Sequence, residues 1–198
     1  WAEIGEGLRY VAREPAIRLL LGIIAITSVF GISSATLFPA WAVSVLGGDA
    51  TTNGLLQSAR GLGALLGALL IASLGRFTYK GRLLTAGTFA FPVLLLLFTF
   101  VSWLPLSLLV LVGTGLAVIM VMNLANALVQ SLVPDALRGR VMSVYSMTFF
   151  GSMPIGALWI GAMAERISAP AALLTGALVS LGCAALIFVF APRLRRLE

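Results

Sequence analysis

Leu106 to Gln130 reads LSLLVLVGTGLAVIMVMNLANALVQ, 25 residues without a charge. A helix rises about 1.5 Å per residue, so about 20 such residues cross a hydrocarbon core ~30 Å thick. This stretch is therefore a transmembrane helix with several residues to spare. Its polar groups fall at Asn123, Asn126 and Gln130, spaced i, i+3 and i+7 on one helical stripe. Working outward with the same ruler gives five more spans, at 16–46, 54–75, 83–102, 141–164 and 169–190. The connectors carry turn residues: Gly47-Gly48-Asp49, Lys80-Gly81-Arg82, Trp103-Leu104-Pro105, Pro134-Asp135 and Ser168-Ala169-Pro170. Links this short make sequential helices antiparallel neighbours. The roughly ten-residue alternating strands of a membrane β-barrel occur nowhere.

The whole composition agrees. Of 198 residues, 60% are hydrophobic and 10% charged, and mean hydropathy is +1.08. A soluble domain has about a quarter of its residues charged, so a soluble enzyme, a disordered tail and a disulfide-stapled secreted domain are excluded. The single cysteine, Cys183, sits in an apolar run and reads as an inert thiol, and with no histidine there is no Cys/His metal cluster. No cofactor and no metal site are expected. The chain opens Trp1-Ala2-Glu3 without an initiator Met or a signal-peptide pattern, which suggests that it is cut from something longer.

Charge fixes the expected orientation. Eleven of thirteen basic residues, among them Arg9, Arg13, Arg18, Arg76, Lys80, Arg82, Arg138, Arg140, Arg193, Arg195 and Arg196, fall on one side of the bundle. The positive-inside rule makes that side cytoplasmic, with both termini on it. The net charge of +6 is thus topological, which argues against a nucleic-acid partner. Residues 1–15 carry Ile4, Leu8 and Val11 at i, i+4 and i+7 and end at Glu14-Pro15, the pattern of an amphipathic helix on the inner membrane surface. Residues 16–191 hold the six-helix bundle and 192–198 a basic cytoplasmic tail.

The spans differ in polarity. The third and sixth contain no Asn, Gln or internal charge and read as peripheral. The second sets Asn53, Gln57 and Arg60 at i, i+4 and i+7, with the small-xxx-small pair Gly63/Gly67 beyond them for close packing. The fifth puts Tyr145, Phe149 and Ser152 on one face, followed by Gly151, Pro154 and Gly156, read as packing residues. The first has Thr27, Ser28, Ser33, Ser34 and Thr36 before Pro39. Spans one, two, four and five are the candidates to line a wet seam. The candidate cavity residues are Asn53, Gln57, Arg60, Asn123, Asn126, Tyr145 and Ser152. Arg60 is the one charge well inside a span; an arginine near a helix centre costs ~2.5–3.5 kcal/mol on insertion scales. It serves an anionic or polar substrate, a carboxylate elsewhere in the complete protein, or helix packing. Arg60 reads as nearer the outer face and Asn123/Asn126 nearer the inner, so the two stripes need not meet one substrate together. No Asp or Glu lies inside any span, and no catalytic constellation is found.

Leu132 to Ser143, LVPDALRGRVMS, running into Phe149 to Gly156, FFGSMPIG, resembles the tenth-to-eleventh helix passage of the drug and siderophore exporter branch of the major facilitator superfamily, which includes enterobactin-exporter-like and macrolide-efflux-like proteins. Glu6 to Val11 before Pro15 is similar to the linker helix joining their two halves. The resemblance covers the chain as the C-terminal half, helices seven to twelve. It implies an all-α six-transmembrane-helix bundle built from two inverted three-helix repeats. It further implies export of amphiphilic small molecules by alternating access and proton antiport, in the inner (plasma) membrane. The partners would be lipid, an N-terminal six-helix half and a small-molecule substrate. Lys80, Gly81 and Arg82 match the end of the family's inner-loop motif, although Thr78 stands where an acid is expected. Arg138, Gly139 and Arg140 fill a second basic loop, as positive-inside anchors or as a latch to the other half. A non-transporting membrane scaffold or receptor subunit is the alternative.

Overall fold

The computed structural model describes residues 2–73 and 79–190, with side chains from residue 5 onward. Gly75, Arg76 and Thr78 of the second connector and the 192–198 tail with Arg193, Arg195 and Arg196 lie outside the described residues. A first helix, α1 (Ala2–Arg13), precedes six helices long and apolar enough to cross a membrane: Pro15–Ser44, Ala50–Ser73, Lys80–Phe98, Leu104–Leu132, Asp135–Arg166 and Ala169–Phe190. No strand occurs among the described residues.

The third, fourth and fifth helices differ from the hydropathy bounds by two to six residues at each end. The fifth is the largest extension, because its helix starts at Asp135 and carries Arg138 and Arg140 inside its first turns. Hydropathy sees where oil begins; the helix continues into water as long as its end groups are satisfied. Pro15 is the first residue of the first span and Pro105 the second of the fourth, in the first turn where the lost N–H had no helical partner anyway. Gly47, at φ +62°, makes the turn between the first two spans, a conformation open to glycine at no steric cost.

The first span is not one continuous α-helix. It runs as α-helix over Pro15–Ile26, widens to a π turn over Thr27–Gly31, tightens to 3-10 over Ile32–Leu37, and resumes as α-helix over Phe38–Ser44. A contact between the first and third spans accounts for it. Gly31 has no side chain, and the Phe91 ring of the third span occupies the space a Cβ would need. The serines and threonines around it then bond to nearby carbonyls in place of the α ladder. Ser34 and Thr36 donate to the carbonyls of Gly31 and Ser33. The Ser33 hydroxyl stands 3.0 Å from the carbonyls of both Ser28 and Met153, the latter on the fifth span beside Pro154.

The principal pairings are second span on fourth, fifth on first, third on fourth, sixth on first, and third on sixth. Exchanging spans one, two and three for four, five and six maps this set onto itself. An odd number of helices per repeat reverses the second copy in the membrane, so the bundle consists of two inverted three-helix repeats. Glycines set the closest approaches. A Cβ on Gly63 would collide with the Val112 carbonyl, one on Gly67 would sit 2.9 Å from the Leu116 carbonyl, and one on Gly115 would strike the Arg60 carbonyl. The second and fourth spans therefore touch backbone to backbone along a shared glycine seam.

Apolar packing forms two clusters. One, toward the end that bears Arg138 and Arg140 (the basic end), includes Leu20, Ile24, Leu124, Leu128 and Val141. The other, toward the opposite end, includes Phe38, Trp41, Leu95, Phe98 and Ile160. The π turn and 3-10 segment lie between them, and Ile32 packs on both.

Candidate functional site

A cavity of about 660 Å³ opens along the bundle, within the usual range for small-molecule sites. Ile32 of the first span, Gln57, Arg60 and Ala64 of the second, residues from Val118 to Asn126 of the fourth, and residues from Tyr145 to Met153 of the fifth form its wall. No lining residue comes from the third or sixth span. Polarity had sorted the spans the same way: a helix against lipid or neighbours needs few polar groups, whereas one facing water carries them.

Of the candidate cavity residues, the structure brings together Gln57, Arg60, Asn123, Asn126 and Tyr145. The two stripes expected at different depths share one chamber, since the glycine seam at Gly63 and Gly115 draws the second and fourth spans together beside Arg60. Asn53 lies outside the lining, half-buried, with its Oδ1 unpartnered. Ser152 is also outside, one residue before Met153, which is inside.

One polar wall is braced. Gln130 donates through Nε2 to Asn126 Oδ1, and the Tyr145 hydroxyl donates to the Met122 carbonyl at 3.3 Å, with the Asn126 amide beside it. Asn123 points its exposed amide into the opening. Facing them, the Arg60 guanidinium stands over the Phe38 ring with its carbon 6.0 Å from the centroid, at the outer limit of a cation–π contact. It has neither a carboxylate nor a hydrogen-bond acceptor among the described residues.

Sequence reasoning passed over Ile32, Met122, Ser146 and Phe150, which complete the wall. Met122 and Ser146 sit one position before Asn123 and after Tyr145, so a wider stripe would have caught them. Phe150 stacks edge-on against Phe149 at 4.9 Å, a contact that spacing alone does not announce.

The loop residues are at the basic end. Arg138 pairs with Asp135 at 2.5 Å, and Arg140 pairs with Glu6 of α1. Gly139 faces open space. Lys80 and Gly81 open the third span, and Arg82 lies 5.4 Å from the Tyr79 ring centroid. Among the residues read as packing devices, Gly156 presses on the Val29 carbonyl, whereas Gly151 has no neighbour within reach of a Cβ and Pro154 is exposed. Among the described residues no group of His, Cys, Asp or Glu is arranged to hold a metal ion.

Comparison with known proteins agrees with this architecture. The family model described as a transmembrane secretion effector matches residues 2–198. The multidrug efflux pump Tap of Mycolicibacterium fortuitum is 28% identical over 198 residues; all of this chain is covered, but only 48% of Tap. The chain thus spans about half the length of the relative it matches. It belongs to the transmembrane secretion effector family of the major facilitator superfamily, a family of efflux transporters.

Proposed function

We propose that this bundle is one half of an exporter for amphiphilic small molecules. It works by alternating access, with a second six-helix half closing the cavity and rocking against it. The observation that carries this reading is the cavity lined by spans one, two, four and five alone. Its mixed wall suits an amphiphile: amides, a phenol and a guanidinium on one part, Met122, Phe149 and Phe150 on another. The printed name of the relative, a multidrug efflux pump, is consistent with such a ligand. Exposed apolar stripes flank the cavity, with Leu62, Leu65 and Leu69 on the second span and Met147, Phe150 and Leu158 on the fifth. A companion half would cover them.

Both termini are placed on the cytoplasmic side of the plasma membrane, following the basic residues. Proton antiport requires a titratable group in the membrane; Asp135 and Glu165 stand only at the two ends of the fifth span and no Asp, Glu or His lies in a span interior, so the companion half supplies it.

The test is cysteine accessibility in the full-length protein. Cys183 is first replaced by Ser, and single cysteines are introduced at Gln57, Asn123, Leu178 and Val179. A membrane-impermeant thiol reagent should label the first two, and substrate should protect them; equal labelling at all four positions would refute the seam. Collapse of the pH gradient should stop efflux, and efflux that persists would remove proton antiport.

A further inference from the structure

We propose that Arg60 receives the carboxylate of an amphiphilic substrate, so that the cavity selects for anionic amphiphiles. This deepens the exporter reading and rests on the cavity being the substrate path. A guanidinium has five N–H donors in a planar fork that matches a carboxylate. Those of Arg60 have no acceptor among the described residues, although the residue lines the cavity. The Phe38 ring, 6.0 Å from its carbon, offers a face and no acceptor oxygen.

Among the described side chains no carboxylate is placed to neutralise Arg60. Asp49 precedes the helix start at Ala50, about 15 Å of rise from Arg60. The other acids whose side chains are described, Glu6, Glu14, Asp135 and Glu165, sit at span ends or on α1. The side chain lies in the cavity wall, with the Phe38 ring at the outer limit of a cation–π contact. The chamber therefore has one fixed charge, positive, with the amides of Gln57 and Asn123 beside it to donate to the second carboxylate oxygen. The apolar wall of Ile32, Met122 and Phe149 receives the alkyl or aromatic remainder. A cationic amphiphile meets repulsion here, and a neutral one leaves the fork empty.

The experiment uses the full-length protein in lipid nanodiscs and three fluorescent probes that differ only in the end group: 11-(dansylamino)undecanoic acid, its methyl ester and the corresponding amine. The acid should bind at least about 10-fold more tightly than the ester, the lower range for a charge-assisted hydrogen bond. Arg60→Gln should reduce that preference to under about twofold, with Arg60→Lys in between, since lysine keeps the charge and loses the fork. In the unaltered protein the preference should fade as pH is lowered through the titration of the probe's carboxyl in the same nanodiscs, which lies above the aqueous carboxylate range, a readout that does not depend on any variant folding. Equal binding of acid and ester by the unaltered protein overturns the proposal; that result is expected if a carboxylate of the companion half already occupies Arg60. A preference that survives Arg60→Gln overturns it as well. Selective binding of the acid without transport of any probe refutes the exporter reading and supports the carboxylate site, whereas transport without acid selectivity does the reverse.

Discussion

Arg140, in the first turns of the fifth span, forms an ion pair with Glu6 of α1, 134 positions earlier in the chain. Beside it, Gly7 lets α1 approach so closely that a Cβ there would lie 2.7 Å from the Arg140 carbonyl oxygen. The charge pair is the weaker of the two links. The Arg140 side chain is 35% and the Glu6 side chain 50% exposed, and pairs in that setting contribute ~0.2–1 kcal/mol and weaken with salt. Glu6→Gln should raise amide exchange in α1 only slightly. Gly7→Val must push α1 off the fifth span, at ~1–3 kcal/mol, and should raise exchange throughout Ala2–Arg13. Equal effects of the two substitutions would show that charge, rather than close packing, docks the helix.

The glycine seam makes a sharper prediction. Gly63→Leu places a side chain where the Val112 backbone already lies, and overpacking of this kind costs ~1–3 kcal/mol or more. It should lower the thermal midpoint in detergent and, by parting spans two and four, disturb the cavity. Gly54→Ala, with nothing within 4 Å of its Cβ, should leave the midpoint level or raise it slightly, because alanine is the better helix former. Matched losses in the two variants would dismiss the seam.

Where the first and fifth spans meet, two substitutions separate hydrogen bonding from contact. Ser33→Ala removes the hydroxyl shared between the Ser28 and Met153 carbonyls, which is expected to cost ~0.6 kcal/mol, the average for membrane hydrogen bonds. Gly156→Val drives a side chain into the Val29 carbonyl and should cost several times more. Unfolding in mixed micelles reads both. A larger loss from Ser33→Ala would mean that the hydroxyl fixes the break in the helix.

Asp49 offers a pH test. Its Oδ1 accepts the Thr52 N–H at 3.0 Å at the start of the second span, and that bond holds its carboxyl below the ordinary value of 3.8. A depressed folded-state pKa contributes stability that is fully present above the ordinary carboxylate range and is lost as pH falls through the depressed value. Asp49→Asn should therefore be less stable than the unaltered protein at pH 7, and the gap should close below about pH 4. A gap that stays constant with pH would rule out the carboxylate as the source.

Much of this architecture could be read without coordinates because a bilayer imposes its own grammar. A run such as Leu106–Gln130 has one viable conformation in hydrocarbon, and the Asn123/Asn126 and Gln57/Arg60 stripes follow from helical period alone. What escaped the sequence depends on contacts between distant residues. The π turn at Thr27–Gly31 arises where Phe91 fills the space beside Gly31, and no local pattern around Gly31 names Phe91. Gly115 looked like one glycine among 21 until the Arg60 backbone was found against it. The surface-lying reading of α1 followed from its amphipathic period, which cannot say that Gly7 has a partner at Arg140. Asn53 and Ser152 carried the right chemistry and spacing, but stripe geometry does not fix where a cavity ends.

The division of the apolar interior into two clusters bears on how such a protein can change over time. Leu128 and Leu95 belong to different clusters, with the hydroxyl-rich break of the first span between them. Distant sites without shared partners respond to substitution nearly independently. Substitutions at Leu128 and at Leu95 therefore act largely independently, and Ile32, which packs on both clusters, is the position through which drift at one membrane face reaches the other.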